Sequence, residues 1–184
     1  MKCFNGILFL SPLLKNNNQM TLLTLVITAI INSPNLTVTS NAFKNNEDIP
    51  SQYTCEGANE TPSFTVSGIP AGTKSIAFIM DDPDAPKGNF DHWVLFNIDA
   101  SGKTEITIDN STAGTKGANG KGENKYTGPC PPAGKHHYHF RAYALDAMLD
   151  VKEGASKKDV ESAMNRHILS QGELIALYEK MKKE

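Results

Sequence analysis

Between Leu36 and Asp146 the apolar positions come in short runs separated by turn residues. Leu36-Thr-Val-Thr-Ser40 alternates and reads as a strand, with Asn45-Asn-Glu-Asp-Ile-Pro50 as the turn after it. Ser63-Phe-Thr-Val-Ser67 is a second strand, closed by a Gly-Ile-Pro-Ala-Gly turn. Ser75-Ile-Ala-Phe-Ile-Met80 and His92-Trp-Val-Leu-Phe-Asn-Ile98 are almost wholly apolar, which predicts two central strands buried on both faces. From Asp99 to Thr127 the composition turns to Gly, Asn, Lys and Thr, with one short strand at Glu105–Ile108; such a long loop in a compact domain is commonly functional, although its lysines are expected to be solvated.

The pattern then sharpens at Gly128-Pro-Cys-Pro-Pro-Ala-Gly-Lys-His136, a stiff turn running into His136-His-Tyr-His-Phe-Arg-Ala-Tyr-Ala144. Period two puts His136 and Tyr138 on one face, continuing into Phe140, Ala142 and Ala144, and puts His137 and His139 on the other. A strand that opens with polar rings and ends apolar is expected where a buried sheet meets a pocket. After it, Ser156-Lys-Lys-Asp159 has the form of a capping box. Val160, Ala163, Met164, His167, Ile168, Gln171, Leu174, Ile175 and Tyr178 recur at helical spacing, which predicts a helix interrupted at Gly172 with His167 packed in the core. Strands predominate, so the fold class is mostly β, an antiparallel or mixed sandwich closed by a helix near the C-terminus.

Residues 1–34 differ from all of this. They hold two apolar runs, Ile7–Leu14 and Leu22–Ile31, both shorter than the roughly 20 residues a membrane helix needs. Lys2 and Lys15, the lack of acidic residues and Ala29 near the end of the second run predict an export signal, hence a periplasmic or secreted protein. The competing readings are a buried element of the domain, or a start at Met20 and a cytoplasmic protein. Residues 35–184 then form one domain, large enough to bury roughly two-thirds of its unfolded surface.

Composition narrows the function. A net charge of −2 with 21% charged residues offers no electrostatic footprint for nucleic acid. Three cysteines leave an odd one in the whole chain, but removal of the N-terminal segment leaves the even pair Cys55 and Cys130, whose bonding spacing alone does not decide.

The chemistry concentrates in two places. Asp81-Asp-Pro-Asp-Ala-Pro86 ends one apolar strand, with prolines stiffening the turn, and Asp91-His-Trp93 opens the next. If these ends adjoin the His136 strand, a carboxylate, two imidazoles and a phenol converge beside proline and aromatic walls, a usual setting for a small ligand. Two enzyme readings compete: a Cys130/His136 pair as nucleophile and base, or a metal held by His137 and His139 with His92 or an aspartate. No Ser or Cys lies in a recognisable activating motif, and the metal spacing lacks an acidic partner.

Asp82-Pro-Asp-Ala-Pro86 with His92-Trp-Val94, and Gly128-Pro-Cys-Pro-Pro-Ala-Gly-Lys-His136, resemble the two motifs of the phosphatidylethanolamine-binding protein family, in its bacterial Raf-kinase-inhibitor-like branch. Tyr53-Thr-Cys-Glu-Gly57, Ser67-Gly-Ile-Pro-Ala-Gly72, Gly117-x-Asn119, Tyr126 and Tyr143-Ala-Leu-Asp146 extend the resemblance over Leu36 to Tyr178. It implies a central antiparallel sheet packed on a smaller sheet, peripheral helices, and an anion pocket lined by Asp82, His92, Pro131, His136 and Tyr138. It also implies a binding protein rather than an enzyme, with no cofactor. The ligand would be a phospholipid head group, a nucleotide phosphate or a phosphorylated group; the partner would be a kinase or protease, with peripheral lipid contact or a homodimer left open. Asp84 matches a structural residue of the turn. His137 departs from the family, which usually has arginine there, and by strand period it belongs to the rim. Residues 1–34 have no family counterpart.

In that pocket Asp82 is expected to raise the pKa of the two imidazoles, so that phosphate-type ligands bind more tightly as pH falls from about 8 to 6.

Overall fold

The computed structural model describes residues 35–181. The expected export segment lies outside the described residues. Eight strands follow in order: β1 (Thr37–Ser40), β2 (Phe64–Ser67), β3 (Ser75–Asp82), β4 (Phe90–Asp99), β5 (Glu105–Ile108), β6 (Thr115–Lys116), β7 (Lys135–Leu145) and β8 (Ile168–Glu179). Among the described residues one helix, α1 (Lys157–Met164), lies between the last two strands, and one 3-10 turn covers Ser51–Tyr53.

The strands make two antiparallel sheets, a small one ordered β1-β2-β5 and a large one ordered β6-β4-β3-β7-β8. Both central strands of the apolar pattern are placed as expected, since every residue of β3 is buried and β4 is buried from His92 to Phe96. The reason is visible on each side. Ile76, Phe78 and Met80 face the small sheet, where Phe64 packs 5.0 Å from Phe78 and 4.7 Å from Phe140, ring centre to ring centre. Ala77 and Ile79 face the other way, under Val160 and Met164 of α1. Each buried aromatic or large aliphatic side chain contributes about 1.5–3 kcal/mol, so these two layers dominate the fold energy.

The capping box forms as its residues predict: Ser156 Oγ accepts from Asp159 N, and the Asp159 carboxylate accepts from Ser156 N, both at 3.2 Å. The helix ends sooner than the apolar spacing predicts. After Met164 the chain passes Arg166, whose φ of +95° breaks helical geometry, and continues as β8. Residues four apart share a face in a helix and also in a strand, because four is even; Leu174 and Tyr178 therefore fit both readings. Ala176, buried between them, belongs only to the strand pattern. Gly172 is a point of close crossing rather than an interrupted helix, for a Cβ there would lie 2.2 Å from the carbonyl oxygen of Leu36. His167 is not in the core; its side chain is 44% exposed and its Nδ1 lies 2.7 Å from Asp146 Oδ1.

Alternation along β3 sends two adjacent carboxylates to opposite faces. Asp81, on the α1 side, is buried against Arg141 Nη1 at 2.6 Å and the Lys157 ammonium, with Asn89 Nδ2 donating at 3.1 Å. Arg141 also reaches Glu173, through Nε at 2.8 Å. This ion cluster fastens α1 to β3 and β7. Asp82, on the other face, leads to the candidate site.

Candidate anion pocket

The end of β3, the start of β4 and the start of β7 meet at one end of the large sheet's central strands around a cavity of about 280 Å³. Asp82 and His136 form its base, His92 and Phe90 come from β4, Ala85 and Pro86 from the turn after β3, and Gly128, Cys130, Pro131 and Pro132 from the turn before β7. Lys121 and Thr127 complete the lining.

The structure brings Asp82, His92, Pro131 and His136 together at this cavity. His136 Nδ1 lies 2.8 Å from Asp82 Oδ2, and both residues are almost fully buried. His92 Nδ1 lies 2.7 Å from the carbonyl oxygen of Thr127. A carbonyl can only accept, so this nitrogen carries the proton and donates it; the remaining ring nitrogen, Nε2, is the one free to meet a ligand. The same holds for His136, whose Nδ1 is committed to a carboxylate.

His92 departs from the expected electrostatics. Burial is the largest influence and pushes its pKa below the usual histidine value, with the Thr127 hydrogen bond and the Asp82 charge opposing it. The ring is enclosed by Phe90 at 4.8 Å and Tyr138 at 5.2 Å, both edge-on, so loss of hydration outweighs a nearby carboxylate.

Tyr138 does not line the cavity. It is wholly buried and packs against both imidazoles, nearly parallel to His136 at 6.5 Å. Its hydroxyl has no hydrogen-bond partner among the described residues, and burial raises its pKa further above the ordinary phenol value.

The remaining polar residues of the motifs hold the frame. Asp84 N donates to Asp82 Oδ1 at 2.9 Å, and Asp84 Oδ2 accepts from His137 N at 2.8 Å and from its Nδ1 at 2.7 Å. These side-chain and backbone hydrogen bonds from His137 lower the Asp84 pKa. Asp84 thus ties the turn to β7, the structural role its motif position implied, and His137 stands on the outer face. His139 pairs with Glu173 at 2.7 Å, on that same face. Among the described residues no three His, Cys, Asp or Glu side chains converge as a metal site.

Cys130 is bonded to Cys55, with Cα atoms 5.4 Å apart across 75 positions of sequence. The pairing that spacing left undecided is therefore made, and the wall of the cavity is stapled to the loop after the 3-10 turn. Cys55 N donating to Pro129 O at 3.1 Å, Gly128 N to Asn59 Oδ1 at 2.7 Å, and Tyr126 Oη to Tyr53 O at 2.7 Å reinforce the same junction.

Lys121 is the charged lining residue that the sequence pattern misses. Its side chain is exposed, as expected of the lysines of this loop, and its Nζ also donates to Thr127 Oγ1 at 2.9 Å, beside the cavity. No periodicity marks it, because its position depends on a turn built around the Asn119 side chain, which accepts from Lys121 N and Glu123 N at 2.9 and 3.0 Å.

Fold and cavity together define a two-sheet β protein with a small polar-based cleft at the ends of its central strands. The chain belongs to the phosphatidylethanolamine-binding protein family, whose profile matches residues 39–179. Among curated relatives, a UPF0098 protein of Pyrococcus horikoshii is 45% identical over 151 residues, covering 77% of this chain and 75% of the relative. A UPF0098 protein of Methanothermobacter thermautotrophicus is 46% identical over 144 residues, covering 76% and 95%. A crystal structure of a putative phosphatidylethanolamine-binding protein homologue from Chlamydia trachomatis superposes with a TM-score of 0.75 at 36% identity, covering 81% of this chain and 100% of that one. The E. coli protein YbcL, described as a member of the mammalian family, superposes with a TM-score of 0.71 at 33% identity, covering 79% and 99%.

Proposed function

We propose that this chain is a non-catalytic binding protein that takes a phosphate-type group into the cavity at Asp82, His92 and His136. The observation that carries the reading is the arrangement of the two imidazoles. Both have Nδ1 committed, to Thr127 O and to Asp82 Oδ2, so both leave Nε2 for a ligand. A phosphate oxygen accepts from such a nitrogen once it is protonated. Binding of a fully ionised phosphate is then accompanied by proton uptake, which the low pKa of free His92 makes measurable.

Two observations support binding over catalysis. Cys130, the one thiol of the cavity wall, is held in a disulfide and is no nucleophile in that state. Thr127, the one hydroxyl residue of the lining, is hydrogen-bonded to Lys121. The bound group would be a lipid head group, a nucleotide phosphate or a phosphorylated side chain, and through the last of these the protein would tune a kinase or protease. The disulfide supports an oxidising compartment, and with it the export reading.

Titration calorimetry of inorganic phosphate and phosphoethanolamine tests the reading. Saturable one-site binding that is lost in His136→Ala is expected; absence of binding to the intact protein would overturn it.

A further inference from the structure

We propose that Lys121 sets the charge preference of this pocket, making it a site for the terminal phosphate of a phosphomonoester rather than for a phosphodiester. The inference rests on the anion-pocket reading above and adds to it the ligand class.

Four ionisable side chains line the cavity: Asp82, His92, Lys121 and His136. Asp82 is hydrogen-bonded to His136 Nδ1 at 2.8 Å, and His92 is buried and aromatic-walled, which favours its neutral form in the free pocket. Lys121 is the remaining ionisable side chain of the lining and its one permanent cation. It makes no ion pair among the described residues, whereas Lys125, four positions on, pairs with Glu123 at 3.4 Å. A lysine on an exposed turn ordinarily extends into water. This one remains exposed, but its ammonium donates to Thr127 Oγ1 in the cavity lining, and the carbonyl of the same threonine accepts the hydrogen bond from His92 Nδ1. One residue thereby positions both the ammonium and the imidazole.

The backbone that carries Lys121 is fixed. Asn119 is buried, accepts from two backbone N–H groups of the turn through Oδ1, and donates from Nδ2 to Lys125 O at 3.0 Å. Gly122, at φ +77°, allows the reversal, and Gly120 N donates to Asp91 O at 2.7 Å, pinning the turn to β4. The side chain's freedom is then confined to its four-carbon arm, so the ammonium can leave Thr127 for a ligand without any movement of the chain.

Two properties of the cavity point to a monoester. Monoesters and diesters present similar hydrogen-bond acceptors, so imidazole donors discriminate weakly between them. A permanent cation discriminates by charge, because a monoester near neutral pH carries close to two negative charges and a diester one. A cavity of about 280 Å³ lies at the small end for ligand sites and admits a terminal group end-on more readily than a phosphate with substituents on both sides.

The test uses the full chain at pH 7.5 and titration calorimetry with phenyl phosphate and methyl phenyl phosphate. The wild type is expected to favour the monoester by about tenfold or more. Lys121→Met should weaken phenyl phosphate about tenfold and methyl phenyl phosphate less than about threefold, with an unchanged thermal midpoint, and Lys121→Arg should restore most of the preference. Equal wild-type affinity for the two esters, or equal losses for both in Lys121→Met, would overturn the inference while leaving the anion pocket standing. A wild type that binds neither ester would remove the pocket reading itself, and the inference with it.

Discussion

Asp82 Oδ2 and His136 Nδ1 lie 2.8 Å apart on adjacent strands, each about 95% buried, and the imidazole is thereby held with its other nitrogen toward the cavity. His137, the next residue, is exposed and bonds to Asp84 on the outside. His136→Ala is therefore expected to weaken phosphate binding at least about tenfold and His137→Ala less than about threefold, measured by calorimetry. Equal losses would mean that the two faces of β7 are not functionally distinct.

The neighbouring carboxylates should separate binding from stability. Asp82→Asn removes the charge that orients His136 and is expected to lower affinity for phosphate. Asp81→Ala leaves the cavity intact but strips Arg141 and Lys157 of their shared buried partner, a change expected to cost about 3–5 kcal/mol in urea denaturation.

Acid should destabilise the fold through His92. Its folded pKa is depressed below the ordinary histidine value of about 6.5, so between the two values the unfolded chain binds a proton that the folded chain does not. That contribution is fully present above about pH 6.5 and is lost as pH falls through the folded value, at no more than about 1.4 kcal/mol per pH unit for one proton. Denaturation midpoints measured from pH 8 to 5 should fall on the acid side, and His92→Gln should flatten that fall. A profile unchanged by the substitution would show that the acid sensitivity lies elsewhere.

Ligand binding should run with the opposite proton balance. Because free His92 resists protonation and a phosphate acceptor requires it, affinity for phosphate is expected to rise as pH falls from about 8 to 6. Calorimetry in two buffers of different ionisation enthalpy should show net proton uptake on binding; zero uptake would mean that the imidazoles do not donate to the ligand.

Reducing the Cys55–Cys130 bond should loosen the cavity wall as well as the fold. A loop of 75 positions corresponds to roughly 4 kcal/mol of lost chain entropy in the unfolded state. The double variant Cys55→Ser with Cys130→Ser is expected to lose about 2–4 kcal/mol by urea denaturation. A loss under about 0.5 kcal/mol would show that the hydrogen bonds around Pro129 already close this junction.

Much of this was legible before any coordinates. The two-residue period of β7 separates His136 and Tyr138 from His137 and His139, and the burial of β7 follows it. β3 and β4 announced themselves as apolar runs because both faces of each are covered. What failed shares one cause, dependence on distant partners. β8 reads as helix because Leu174 and Tyr178 sit four apart, and the buried Ala176 between them and the crossing of Leu36 over Gly172 distinguish the strand. The sign of the His92 shift was misjudged because a nearby carboxylate can be read from a motif, whereas enclosure by Phe90 and Tyr138 cannot. Lys121 is exposed as its loop implies, but its place beside the cavity is not legible, because Asn119 and Thr127, which direct it, are linked to it by hydrogen bonds and not by pattern.

Asp81 and Asp82 are consecutive, yet one anchors a helix and the other orients a pocket imidazole. The strand thus works as a reading frame. Inserting one residue between Ser75 and Met80 would put Asp81 in the pocket position and Met80 in the anchor position, and deleting one would put Asp82 in the anchor position and Pro83 in the pocket position, so either change strips one side of its carboxylate. Length in β3 is accordingly as much a determinant of the pocket as the side chains that line it.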